Sequence, residues 1–500
     1  MNGVSASVPL RDRARDRVLF LRPGDNTTAV SNVVRDFIYG CWCNGKRIGG
    51  MQMPPIHELY AATSVRMTGL QVELIDALLE PQRYQSYLEN SLNTTVAVAI
   101  MSSTQSFRQD LKTLQAIKAQ DGSVRSILYG SHPTFMPHYC LREQAVDYII
   151  AQESEEGLRE LILAITGSLP VEDILGIGFR DKDGTPRINP PRPFVSMDDL
   201  PIPDRTLLPK GIDYFNPAVK RTPYTTMITS RGCPARCIFC TAPFFYGNKA
   251  RFRSGESVLK ELREIKRLGY KEVFFRDETF TAYKKRNQEV CQGMIREKLD
   301  LSWIANARVD MVDRESMILM KQAGCHLIKF GVETGDEQIM ANYKKGVTCE
   351  QTRETFRMAH AVGMDTHAHV MLGGPGETPE SIEKTIRFTL DLDPTTASFG
   401  ILTPYAGTPL FQEMAQRHPE MRDGSASTME DLHTTGFFSQ EICQLSSAYL
   451  SRCIVKAYRR FYWRPSYLWK RLRGIESFEE FMVLTVAGLN IFQFSVSGEK

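Results

Sequence analysis

The sequence predicts an α/β fold in two parts, an N-terminal doubly wound (Rossmann-like) parallel sheet and a partial β/α (TIM-like) barrel, closed by a small C-terminal helical region. Three observations lead there. At 500 residues the chain exceeds what one core of ordinary size holds, so two large domains are expected. Short apolar, β-favouring runs alternate with helix-length segments over residues 1–170 and again over 223–420. Between the two series, residues 171–222 are dominated by proline and turn formers, which neither a helix nor a central strand tolerates.

In the first series, residues 17–21 read as a buried strand with a sharp exit at Arg22-Pro23-Gly24. Strands follow at 72–75, 95–100, 124–129 and 146–150, with helices at 56–67 and 107–119. Ligands of such a sheet sit at the carboxyl ends of its strands. There the third strand runs into Ser102, Ser103 and Thr104, and the fourth into Gly130 and Ser131. These hydroxyls and a glycine turn suit a large polar cofactor tail, and as a set they are equally ordinary loop residues. No G-x-G-x-x-G follows the first strand, which speaks against a dinucleotide. Cys41, Trp42 and Cys43 lie in an insertion before the first helix; the two cysteines read as buried small hydrophobes, with a ligand cap as the alternative. Residues 171–222 read as a strapping linker.

The second series starts with a β-favouring run at 225–229 and continues with strands at 272–275, 302–305, 327–332, 366–372 and 398–402. Helices are expected at 257–268 and 284–298, and after Thr348 and Thr378. In a β/α barrel the active residues stand at strand ends. The first strand leads directly into Cys233, Cys237 and Cys240. Three thiolates at spacings of four and three can hold a four-iron cluster that keeps one iron open. Paired zinc-ribbon arms have another spacing, and the nearest later cysteine is Cys291. The plain alternative is three buried, chemically idle cysteines. His367 and His369 alternate on a strand and share a face, as substrate acid/base groups or as satisfied interior histidines.

Lys plus Arg number 61 against 58 Asp plus Glu, a balance that gives no reason to expect a nucleic-acid partner. Eleven cysteines form no regular disulfide ladder, and no apolar signal core precedes Arg17, so a cytoplasmic location is expected. The most apolar late run, 481–494, is shorter than a membrane span. Residues 421–500 read as helical, with Pro465 as a break. Between Lys456 and Arg473 stand seven Lys or Arg, no acid and six aromatics. The expected role is a helix pair that packs its aromatics on the barrel, and peripheral membrane contact is the alternative.

The cysteine loop, with Phe239 directly before its last cysteine, resembles that of the radical S-adenosylmethionine (SAM) enzymes. Similar landmarks follow in order after later strands: Arg276-Asp277-Glu278, Asn306-Ala307-Arg308, Gly331-Val332-Glu333, Met371-Leu372-Gly373 and Thr403-Pro404-Tyr405. The resemblance implies that Cys233, Cys237 and Cys240 hold a [4Fe-4S] cluster whose open iron chelates SAM, which is cleaved to a 5′-deoxyadenosyl radical. It places Phe239, Leu372 and Gly373 by the adenine, Asp277 and Glu278 by the methionine amine, and Arg308 and Glu333 by the ribose or carboxylate. A structural ion-pair network is the alternative for Asp277, Arg308 and Glu333.

A doubly wound domain ahead of such a barrel resembles the cobalamin-dependent branch of these enzymes, most of all its methyltransferases. That implies cobalamin, with Ser102, Ser103, Thr104, Gly130 and Ser131 as contacts for its tail. No D-x-H-x-x-G is present, so no histidine obviously sits below cobalt. The implied activity is methylation of an unactivated carbon of a small-molecule or lipid-like substrate, with a low-potential electron donor. Enzymes of this branch act on antibiotic precursors, peptides, hopanoid lipids and bacteriochlorophyll-type tetrapyrroles. No catalytic acid or base is assigned. The rivals are an oxidative cyclase without methyl transfer, a tRNA methylthiolating enzyme, and a noncatalytic iron–sulfur or zinc protein that binds a partner.

Overall fold

A computed structural model describes residues 15–24, 41–42, 51–422, 439–475 and 477–497. Its strands, in chain order, are β1 (Arg17–Arg22), β2 (Cys41–Trp42), β3 (Gln71–Asp76), β4 (Thr95–Met101), β5 (Arg125–Tyr129), β6 (Tyr148–Ile150), β7 (Ile177–Arg180) and β8 (Pro186–Ile188). There follow β9 (Tyr224–Met227), β10 (Ser230–Arg231), β11 (Arg251–Phe252), β12 (Glu272–Phe275), β13 (Ser302–Ala307), β14 (Cys325–Glu333), β15 (Asp365–Leu372) and β16 (Thr396–Leu402).

The first sheet has the order β3-β1-β4-β5-β6-β7-β8. Its first five strands are parallel, and β4 is buried along its whole length, as a central parallel strand covered on both faces must be. The winding reverses between β1 and β4, which opens the usual ligand crevice at their carboxyl ends. The helices α1 (Ile56–Arg66) and α2 (Glu155–Ile165) pack together over one face of the sheet. At the end of β1, buried Arg22 meets Glu58 at 2.7 Å and Asp76 at 3.5 Å.

One expectation fails here. The stretch read as pure linker contains β7 and β8, which pair antiparallel and extend the first sheet past residue 170. The turn between them, Asp181-Lys182-Asp183-Gly184, has Gly184 at φ 86°, where glycine alone is unstrained. The strap proper begins after Ile188.

The second sheet has the order β2-β16-β15-β14-β13-β12-β9. Six parallel strands run in sequence order as an open partial barrel, and β2 closes on the β16 edge antiparallel. The insertion that holds Cys41 thus contributes a barrel-edge strand; the side chains of Cys41 and Cys43, and with them both readings given above, lie outside the described residues. Between the strands and their outer helices lies an apolar core around Trp303, Phe275, Phe330 and Phe399.

The chain ends in α3 (Ser447–Tyr462), α4 (Pro465–Arg473) and α5 (Phe478–Ser497). Leu450, Ile454, Ala457, Tyr458 and Phe461 of α3 are buried at helical spacing against the barrel core. Tyr462 Oη donates to the Ala397 carbonyl at 2.7 Å. Packing of the aromatics therefore holds for α3 and for Tyr467 of α4, which lies against Phe461 and Tyr462, but not for Trp469, which is 58% exposed.

Candidate active site

One cavity of about 900 Å³ runs along the inner face of the second sheet, from the carboxyl ends of its strands to the start of β16, and reaches to α4 and α5. Cys233, Cys237 and Cys240 all border it. Their loop leaves β10 through Gly232, at φ 87°, where a Cβ would stand 2.7 Å from the Lys249 carbonyl oxygen. Further on, Ile238 N–H donates to the Tyr343 carbonyl and Leu410 N–H to that of Ile238, both at 3.1 Å. Burial raises the Cys237 thiol, while Lys345 and Arg308 act in the opposite sense; burial raises the Cys240 thiol strongly. Such thiols favour a soft cationic centre that takes them as thiolates. Among the described residues no three His, Cys, Asp or Glu side chains converge as on a single metal ion. The three sulfurs share one cavity wall, an arrangement suited to a centre larger than one ion.

Strand parity brings the other polar groups in. Lys329, Gly331 and Glu333 alternate on β14, and His367, His369 and Met371 on β15, and all six line the cavity. Glu333 is held at φ 65° beside a bulge in the pairing with β15, an unusual backbone for a glutamate and a mark of a functional constraint. Its Oε1 meets Lys345 Nζ at 2.6 Å, and the same Nζ donates to the Gly331 carbonyl at 2.5 Å. A Cβ on Gly331 would fall 2.3 Å from that Oε1, so only glycine leaves the pair its room. Arg308 makes a fork to Asp310, 3.0 Å on each arm, and donates to the Lys345 carbonyl at 2.9 Å.

Asp277 and Glu278 part company. Asp277 is fully buried away from the cavity, where Thr229 N–H donates to it at 2.6 Å, Ser230 Oγ at 2.7 Å, and the Thr229 hydroxyl also donates. Its carboxylate is taken up in fixing the approach to the cysteine loop, in contrast to the expected place beside an amine. Glu278 faces the cavity and accepts from Gly232 N–H at 3.0 Å. Desolvation, and next the charge of Asp277, push its carboxyl up to about 8.

Phe239 lines the cavity and meets Tyr343 edge-on, ring centroids 5.4 Å apart. Leu372 and Gly373 lie behind the wall. Leu372 belongs to the core beneath the outer helices, and a Cβ on Gly373 would meet Leu450 at 2.8 Å. Met371 stands at the cavity in their stead. The two histidines share Ser398: His367 Nε2 is 3.1 Å and His369 Nδ1 2.8 Å from its Oγ. Burial, followed by the nearby His369 and Lys329, holds His367 well below the usual histidine range.

Ser102, Ser103, Thr104, Gly130 and Ser131 come together at the crevice of the first sheet, all but fully buried or glycine. Ser102 Oγ is buried without a hydrogen-bond partner. Gly130 sits at φ 105°, and a Cβ there would stand 2.8 Å from the Ser102 carbonyl oxygen. Thr104 Oγ1 pairs with His132 Nδ1 at 3.2 Å; burial pushes that histidine down to about 3. An orphaned hydroxyl above a cradle that only glycine permits fits the polar tail of a large cofactor. The first sheet meets the cysteine loop through Glu155 and Arg231, and Gln105 Nε2 donates to Tyr405 Oη at 3.0 Å.

Sequence reasoning passed over Lys345, Lys329 and Glu377. Glu377 accepts from Gly374 N–H at 2.9 Å and from Gly373 N–H, and burial pushes it up to about 7. Parity with Glu333 points to Lys329. Lys345, on a loop after β14, carries no local signal.

Two family models match the chain, the Radical SAM superfamily over residues 227–389 and the B12 binding domain over 49–162. An uncharacterized methyltransferase of Pyrococcus horikoshii is 32% identical over 85% of this chain and 91% of its own length. The anaerobic magnesium-protoporphyrin IX monomethyl ester cyclase of Rubrivivax gelatinosus is 27% identical over 61% of this chain, which spans 56% of that enzyme. The solved structure of the radical SAM methyltransferase TsrM from Kitasatospora setae shares the fold with a TM-score of 0.64 at 18% identity, over 81% of this chain and 76% of its own.

Proposed function

The chain belongs to the radical SAM enzymes that carry a B12 binding domain, and from that premise we propose that it transfers a methyl group to an unactivated carbon of a small-molecule or lipid-like substrate. One observation carries the reading: a single cavity has three thiols at one end and room for an organic substrate toward the other. The cofactors of this family are a [4Fe-4S] cluster, SAM and cobalamin; bound together they supply a carbon-centred radical and a transferable methyl group.

Cys233, Cys237 and Cys240 hold the cluster, and Phe239 with Met371 shields that end from water. Glu278 receives the aminium of SAM, since a cation placed beside a carboxyl that burial has raised draws it back to the ionised form and pairs with it. Arg308 meets the carboxylate and Glu333 the ribose hydroxyls. Lys345 positions Glu333, and Asp277 positions the strand end before Cys233. Leu372 and Gly373 act from behind by setting Met371. Ser102, Ser103, Thr104, Gly130 and Ser131 hold the cobalamin tail. His367 and His369, joined through Ser398, face the substrate half.

A second reading, oxidative cyclisation with the same cofactors, is favoured by the likeness to the cyclase of Rubrivivax gelatinosus. Counting methyl groups in the product separates the two. The test is anaerobic reconstitution with iron, sulfide and hydroxocobalamin, followed by a reductant-dependent assay for 5′-deoxyadenosine and S-adenosylhomocysteine. Stoichiometric cobalt with both products is expected. Iron and 5′-deoxyadenosine without cobalt would refute methyl transfer from cobalamin.

A further inference from the structure

The cavity changes character along its length. Toward the cysteines it is lined by Arg308, Glu333 and Lys345; at its other end the wall is Leu472, Ile475, Phe481, Leu484, Ile491 and Phe492 of the α4–α5 region. The outer side of these helices is bare. On α5, Phe478 (78% exposed), Met482, Leu489 (63% exposed) and Val496 fall on one face at 100° per residue. Residues 478–496 make a stripe roughly 27 Å long at a rise of about 1.5 Å per residue. No charged residue occurs between 481 and 497. On α4, Trp469 is exposed, and Leu468 and Leu472 are exposed where they line the cavity.

Basic groups flank this surface. Arg471 borders the cavity mouth, and the Arg473 guanidinium lies 4.5 Å over the Trp469 ring. Trp463 stacks on Phe492 at 5.2 Å, as amphipathic aromatics do at a water–lipid boundary. Among the described residues no helix is long and apolar enough to cross a membrane. An uncharged stripe beside a basic, aromatic helix is the composition of an element that lies in the plane of an interface.

We propose that α4 and α5 dock this protein on an anionic bilayer surface and lead an amphiphile with a long apolar chain from it into the cavity, reactive polar end toward the cysteines. The substrate half of this inference rests on the methyltransferase reading; the docking half stands without it. Charge decides the occupant. Arg471 and Arg473 beside the stripe complement anionic headgroups, and no acid stands between Lys456 and Arg473 in the sequence to offset them.

The test is flotation of the full reconstituted chain with vesicles of phosphatidylcholine alone and with vesicles of phosphatidylcholine and phosphatidylglycerol in equal parts. Binding to the second and weakening by salt are expected. The double variant Met482→Asp, Leu489→Asp alters exposed positions that do not line the cavity. It should lose vesicle binding by about tenfold or more while SAM cleavage in detergent-free solution is unchanged. Absence of binding to either vesicle, or binding unaltered in the variant, would overturn the proposal. So would a solution mass of a dimer that the variant dissociates, since a second copy would then cover the face. Vesicle binding by a chain that does not cleave SAM upholds the dock and refutes the methyltransferase reading.

Discussion

Replacing Arg231 with leucine strips Glu155 of the guanidinium that joins the first sheet to the cysteine loop. The side chains of Arg231 and Glu155 are 3% and 4% exposed, and Arg231 also stands 3.3 Å from Glu153. Glu153 keeps Arg251 in the variant, but Glu155 is left facing only Glu153, His57 and the Tyr246 phenol. Removing one partner of a buried pair costs about 3–5 kcal/mol, because the remaining charge loses its main counter-ion and gains no water. The pH dependence should change sign as well. In the native protein burial raises the Glu155 carboxyl but Arg231 overrides it and holds it below the ordinary value. Its contribution is therefore present above the unfolded pKa of about 4.3 and is lost as pH falls through the folded value. In the variant burial, the largest influence, is opposed only by a backbone hydrogen bond and His57, so the carboxyl rises and stability declines as pH rises from about 4.3 toward the new folded value. Urea unfolding of the full chain at pH 5.5 and pH 8 reads both effects. Arg231→Leu combined with Glu155→Leu should recover most of the loss, since a volume-matched apolar pair leaves no stranded charge. A cost under about 1 kcal/mol for the single variant, or a loss relative to the native protein no larger at pH 8 than at pH 5.5, would refute the argument.

Four further variants test the site. Cys237→Ala should bind less iron on reconstitution, lack the visible absorbance of a cluster and cleave no SAM, whereas a structural thiol would leave cleavage intact. Lys345→Met should free Glu333 and lower SAM affinity by about 10- to 100-fold in equilibrium dialysis, the worth of one charge-assisted contact, without loss of the cluster. Ser102→Ala should weaken cobalamin retention by about tenfold, and Gly130→Val should abolish it, since φ 105° and the 2.8 Å approach to Ser102 forbid a side chain; cobalt per polypeptide measures both.

What the sequence made legible is what depends on periodicity. Six barrel strands and the inward set Lys329, Gly331, Glu333 follow from alternation alone, because a pleated strand sends every second side chain to one face. The same rule, applied to His367, His369 and Met371, would have turned Leu372 toward the outer helices instead of the adenine. The hairpin β7–β8 was also written locally, in an Asp-Gly turn between Ile177–Arg180 and Pro186–Ile188, but the surrounding prolines outweighed it.

Asp277 and Lys345 mark where local reading ends. Beside Glu278, an aspartate carries no label for its face; Thr229 and Ser230, which claim it, lie 48 and 47 residues away. Lys345 reaches Glu333 across 12 residues of turn and helix, and nothing in its neighbourhood announces the contact. Such pairs are decided by which loops the barrel brings to one rim, so their identity follows from topology and not from spacing. The strained backbone of Glu333 belongs to the same class: glycine at 331 makes the room, a lysine 14 positions later fills it, and only the assembled rim gives the three residues a common purpose.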